Sequence, residues 1–135
     1  MTKIYNKIDF LIIEDDLDTI NLLQTYFGAK GYTCESATSV KQGLNILKNI
    51  IPSVILLDIL LPDRKGYEII KSVKSNQALS DLLIYFLTAI PMTEAVKKKE
   101  ELGANGVIEK PFRLEELDVI FEKLKTKAPF KSSSY

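Results

Sequence analysis

The stretch SVILLDILLPD, residues 53–63, sets one ionisable side chain, Asp58, inside an otherwise apolar run closed by Pro62. Apolar residues without alternation, bounded by turn residues, read as a strand buried on both faces, as at the centre of a parallel sheet. A carboxylate without partners in such a core costs roughly several kcal/mol. Asp58 therefore either meets a cation or marks the edge where the strand leaves the core.

On both sides of this strand, short apolar runs alternate with segments of helical period. DFLII (9–13) reads as a strand, and LDTINLLQTYFGAKG (17–31) as a helix with Ile20, Leu23 and Phe27 on one face and Gly31 as its stop. YTCESA (32–37) is the next expected strand. SVKQGLNILKNI (39–50) follows as a helix carrying Val40, Leu44 and Leu47, ended by Pro52. After the strand at 53–58 come a helix at 67–76, a strand at 81–88 and a helix at 92–103 between Pro91 and Gly103. A strand at 106–110 and a helix at 113–127 complete the series. Five strand–helix units in strict alternation predict an α/β fold, a doubly wound parallel sheet with helices on both faces.

Composition narrows the function. The 135 residues suit one domain, and 46% apolar content with mixed charge is that of a globular protein. Eighteen basic and eighteen acidic residues cancel, so no global charge favours nucleic acid or an anionic membrane. The N-terminus, MTKIYNKIDFLIIEDD, runs from a short apolar patch straight into acids, unlike a signal peptide. No apolar run reaches the roughly 20 residues of a membrane helix. With a single cysteine, Cys34, the expected setting is a reducing, cytoplasmic one. Histidine is absent, which removes the commonest general base, the commonest metal ligand and any phosphohistidine of the chain's own. The polar end, residues 127–135, reads as a tail or the start of a linker, with no output domain visible after the last helix.

In an open parallel sheet, sites form where the strands end at their carboxyl edge. The first strand ends in Glu14, Asp15 and Asp16, the third in Asp58, the fourth in Thr88 and Ala89, the fifth in Lys110 and Pro111. Each has a bland alternative: Asp16 a helix N-cap, Thr88 a turn residue, Lys110 a solvated charge, Glu14 a surface acid. Jointly those alternatives fail, because carboxylates crowded at one edge repel unless a cation sits among them, and Lys110 alone does not balance the set. Oxygen ligands without His or Cys indicate a hard ion, and a few carboxylates with room for water and phosphate suit Mg²⁺ better than Ca²⁺. Acids around Mg²⁺ facing a hydroxyl and an ammonium are what phosphoryl transfer needs, with Asp58 as the carboxylate nucleophile.

These residues also carry a family pattern. Glu14–Asp15, LLDILLPDRKGYE around Asp58, Thr88–Ala89 and the KPF of 110–112 stand at the spacing of the receiver domain of two-component response regulators, which the chain resembles over residues 7–126. The resemblance implies a flavodoxin-like (βα)5 fold with strand order 2-1-3-4-5. It implies Asp58 as phosphoacceptor, with Asp15, Asp58 and the Leu60 carbonyl on Mg²⁺ and Glu14 acting largely through water. Thr88 and Lys110 would hold the phosphoryl oxygens, Ala89 would keep the approach open, Gly66 would allow the turn into the third helix, and Lys110–Pro111 would be cis. The implied partners are a sensor histidine kinase or histidine phosphotransfer protein and a downstream output protein or domain met by helix 4, strand 5 and helix 5. The chain would be a signalling switch rather than an enzyme, taking phosphate also from small donors and losing it by its own hydrolysis, with no direct nucleic-acid binding and no membrane insertion.

Three features depart from the pattern. Val107 stands where receivers usually carry Tyr or Phe, which leaves an interaction module with impaired switching as the alternative. Leu60 and Ile90, often polar in fast-cycling receivers, offer nothing to orient an attacking water, so a long-lived phosphoryl group is expected. Asn105, Gly106 and Ile120 replace the charged residues that pair across dimers of winged-helix regulators. Lys97, Lys98 and Lys99 read as a solvated face, and Lys123, Lys125 and Lys127 as complements of a helix dipole. A flavodoxin-like FMN site would need an uncharged first loop instead of EDDLD, and a dehalogenase-like phosphatase would need an acid at Leu60.

Overall fold

A computed structural model describes residues 4–61, 63 and 66–132, with side chains as far as residue 126. Pro62 and the side chain of Lys127 lie outside the described residues. The elements run β1 (Asn6–Ile13), α1 (Leu17–Ala29), β2 (Cys34–Ala37), α2 (Val40–Ile46), β3 (Ile50–Leu57), α3 (Tyr67–Lys74), β4 (Leu83–Thr88), α4 (Met92–Leu102), β5 (Gly106–Glu109) and α5 (Asp118–Ser132). All pairings are parallel, and the strand order is β2-β1-β3-β4-β5, the doubly wound arrangement expected.

Alternate residues of each central strand serve opposite cores. Leu11, Ile13, Ile55, Leu57 and Phe86 pack against Val40, Ile69, Val73 and Ala95 of the helices α2, α3 and α4 and against Leu47, the residue that ends α2. Phe10, Ile12, Val54, Leu56 and Leu87 meet Leu23, Phe27, Ile120, Phe121 and Leu124 of α1 and α5. That second core is aromatic: Phe10 stacks on Phe27 at 4.0 Å, Tyr32 stacks on Phe121 at 5.0 Å, and Phe121 stands edge-on to Phe10 and Phe27. Tyr26 Oη donates to Asp118 Oδ1 at 2.7 Å and ties α1 to the first turn of α5. Among the described residues, no helix is long and apolar enough to cross a membrane.

Several boundaries differ from the sequence reading. Pro52 does not end α2. That helix stops at Ile46, and Pro52 lies inside β3 in register with Ile8. β4 begins to pair with β3 only at Val54, so on that side the strand is an edge at Pro52, where a residue without N–H is tolerated. β2 starts at Cys34 rather than Tyr32, because Tyr32 turns into the aromatic core and Thr33 is held by Asp9, whose carboxylate accepts from Thr33 N at 2.8 Å. The last helix begins as a 3₁₀ turn, Leu114–Leu117, and its backbone continues to Ser132, into the stretch read as a polar tail. Gly31 and Gly103 hold positive φ, 88° and 76°, as expected at the ends of α1 and α4.

Candidate functional site

Because every strand points the same way, the four expected loops open at one edge. β1 hands over Glu14 and Asp15, β3 hands over Asp58, Thr88 is the last residue of β4, and Lys110 follows β5. The sheet ladder continues just past the strands: Asp58 N donates to Ile13 O at 2.9 Å and Lys110 N to Thr88 O at 2.8 Å. The side chains therefore start from a rigid frame rather than from free loops.

Glu14 is 1% exposed, Asp58 7% and Thr88 fully buried, so the surface-acid and turn-residue alternatives for Glu14 and Thr88 fail. Lys110 Nζ donates to Glu14 Oε1 in a short contact and to Asp58 Oδ2 at 3.3 Å, so it is no solvated charge. The remaining carboxylate oxygens are also used: Asp16 N donates to Glu14 Oε2 at 3.1 Å and Leu60 N to Asp58 Oδ1 at 2.9 Å. Asp16 itself is the N-cap of α1, accepting from Thr19 N at 3.3 Å. Burial holds the Glu14 carboxyl above its ordinary range, against the pull of Lys110. Burial lowers the Lys110 ammonium, but the hydrogen bond it donates to Glu14 and the charges of Asp58 and Glu14 outweigh it, leaving a net upward shift.

Ligand oxygens of Glu14, Asp15 and Asp58 lie within 4.8 Å of one another, Asp15 being exposed at the mouth. Three carboxylates stand beside one ammonium, which pairs with Glu14 and Asp58, and this leaves an excess of negative charge among the carboxylate oxygens. That donor set fits a hard divalent cation and could hold a metal.

The supporting residues fall as follows. Thr88 Oγ1 accepts from Ile90 N at 3.3 Å, which leaves its proton free to donate elsewhere. Ala89 is exposed beside it, and Val107 is half-buried against the core under α4. The Lys110–Pro111 bond is cis, and Pro111 is exposed. Leu60 is 59% exposed at the rim, whereas Ile90 is buried. At Gly66 a Cβ would stand 2.7 Å from Asp58 O and 2.8 Å from Ile59 Cα, so only glycine lets α3 start so close to the site. Of the positions matched to dimer charges, Ile120 is fully buried and Asn105 Oδ1 accepts from Ile84 N at 2.8 Å.

One residue escaped the sequence reading. Asp63, in the loop after Asp58, reaches α2: Val40 N donates to its Oδ1 and Lys41 N to its Oδ2, both at 3.0 Å. An acid in a loop gives no sequence signal of a bond to a helix more than twenty residues earlier.

A family model described as response regulator receiver domain matches residues 10–122. Response regulator SaeR of Staphylococcus aureus is 33% identical over 117 residues, which cover 87% of this chain and 50% of that protein. The chain thus spans about half the length of the curated relatives it matches. Among solved structures, a two-component response regulator from Legionella pneumophila superposes with TM-score 0.77 at 29% identity, covering 88% of this chain and 98% of that one. The non-phosphorylated HemR receiver domain from Leptospira biflexa superposes with TM-score 0.75 at 27% identity over 87% and 92%.

Proposed function

Since the chain belongs to the response regulator receiver domains of two-component systems, we propose that Asp58 is the phosphoacceptor of a phosphorelay, charged by a histidine kinase or histidine phosphotransfer protein. The observation that carries this reading is the Asp58 carboxylate itself. It is nearly buried at a strand end, 3.3 Å from an ammonium and within 4.8 Å of two further carboxylates.

Glu14, Asp15, Asp58 and the Leu60 carbonyl would hold Mg²⁺, which when bound supplies charge neutralisation at the phosphoryl oxygens. Asp58 attacks the donor phosphorus through a carboxylate oxygen. The bond from phosphorus to the donor's imidazole nitrogen, or to the acyl oxygen of a small donor, breaks with its electron pair staying on the donor. The product is an acyl phosphate. Lys110, already beside Asp58, and the Thr88 hydroxyl would take the phosphoryl oxygens. Ala89 leaves the approach open. Leu60 and Ile90 flank the product without a polar group, which supports slow hydrolysis.

Response would pass to the α4–β5–α5 surface. Ala95 is the only fully buried side chain of α4, so this helix is the least anchored of the layer. Val107 moves with it as a packing residue rather than as an aromatic pointer.

Incubation with acetyl phosphate and Mg²⁺ tests the proposal by intact mass. The wild type is expected to gain one phosphoryl group and Asp58→Ala none. A wild type that takes up no phosphoryl group, or an Asp58→Ala chain labelled equally, would overturn it.

A further inference from the structure

We infer that Asp63 is a positioning residue of the phosphorylation site, clamping the loop that carries Asp58 and Leu60 onto the N-terminus of α2. The inference rests on the phosphoacceptor reading of Asp58. It concerns a residue outside the cluster of Glu14, Asp15 and Asp58.

The first amides of α2 are divided between two acceptors. Ser39 Oγ accepts from Gln42 N at 3.1 Å, a local N-cap. Val40 N and Lys41 N instead take both oxygens of Asp63 at 3.0 Å. A bidentate carboxylate at the first turn of a helix is favoured by both hydrogen bonding and the helix dipole. Yet α2 already has its cap, so what the second acid adds is a tie to another part of the chain.

That part is the loop between β3 and α3. It is fixed at its start, where Leu60 N donates to Asp58 Oδ1 at 2.9 Å, and at its end, where Gly66 N donates to Ile59 O at 3.1 Å. Leu61 is buried in the core while Leu60 is 59% exposed, so packing holds the peptide after Leu60 and not Leu60 itself. Asp63 holds the loop from the far side. α2 in turn is seated hard on β1 and α3, because Gly43 lies where a Cβ would meet Ile13 Cδ1 at 2.8 Å. The clamp therefore refers the Leu60 backbone to a helix that cannot drift.

The test is Mg²⁺ binding by calorimetry on the full chain, with Asp63→Ala beside Ser39→Ala, which strips a cap from the same helix without touching the loop. Groups that orient metal ligands typically weaken affinity about 10–100-fold when removed, and a clamp that acts on a ligand's backbone without touching the metal should reach roughly the low end of that range. Asp63→Ala is expected to bind Mg²⁺ about 10-fold more weakly than wild type and to recover the wild-type rate of phosphorylation by acetyl phosphate at saturating Mg²⁺. Ser39→Ala should lower the thermal midpoint and leave Mg²⁺ affinity unchanged. Equal Mg²⁺ affinity in Asp63→Ala and wild type, or an equal loss in both variants, overturns the clamp while leaving the phosphoacceptor reading intact. A wild type that neither binds Mg²⁺ nor takes up phosphate overturns both.

Discussion

Lys110→Ala offers the sharpest test of how the acid cluster is held. Lys110 is the ammonium shared by Glu14 and Asp58, and its removal leaves those carboxylates and Asp15 facing one another within 4.8 Å. At an effective dielectric of about 20, two unit charges at that distance repel by roughly 3–4 kcal/mol. Breaking a buried pair by removing one partner costs about 3–5 kcal/mol, and since the Lys110 side chain is 22% exposed the lower figure applies. Lys110→Ala should therefore lose roughly 3 kcal/mol at neutral pH without divalent ions.

The loss depends on pH with a definite sign. Burial already holds the Glu14 carboxyl above its ordinary range while Lys110 pulls it down, so without Lys110 it rises further. A carboxyl raised on folding binds more protons folded than unfolded, so stability is highest on the acid side and falls as pH climbs from the ordinary carboxylate range through the raised folded value. The gap between wild type and Lys110→Ala should accordingly be widest at neutral pH, narrow on acidification, and narrow again when Mg²⁺ replaces the lost charge. In the wild type the raised Lys110 value means that its contribution is complete below the ordinary lysine range and is lost as pH rises through the folded value. Urea unfolding followed by far-UV circular dichroism, in EDTA and in excess Mg²⁺ across the acid-to-neutral range, measures each part. Equal stability of the two proteins at neutral pH in EDTA, or a gap that widens on acidification, would refute the reasoning.

Three further outcomes are expected. Gly66→Ala, at φ −62° where alanine is unstrained, meets backbone at 2.7 Å and should cost about 1–3 kcal/mol by urea unfolding; an unchanged midpoint would show that the loop has room. The Cys34 thiol, pushed up to about 12 by burial, should resist thiol reagents at mildly alkaline pH in the native state and react on unfolding; rapid native labelling would contradict the burial. Purified phosphoprotein in Mg²⁺ should keep its label for hours, followed by intact mass; loss within seconds would remove the role given to Leu60 and Ile90.

The alternation of apolar runs with helical periods was enough to set the fold class, because a parallel sheet requires a crossover after every strand. Family spacing supplied the strand order, which periodicity alone does not contain. The same patterns misplaced Pro52, since a proline ends a helix or sits on an unpaired stretch of strand with equal ease, and only the late start of β4 pairing decides between them. Glu14, Asp15, Asp58, Thr88 and Lys110 were legible as strand-end residues, so the membership of the candidate site came from the chain itself. What the sequence could not divide was their labour. Glu14 was read first as a surface acid, yet folding buries it against Lys110. Asp63 carried no signal at all, and its bonds to α2 exist only because the loop after β3 folds onto the first turn of that helix. Residue types and their order along the strands are local information. Burial, shared charges and bonds between distant loops arise only when the strands pair, and that is where the tertiary structure decided this protein's chemistry.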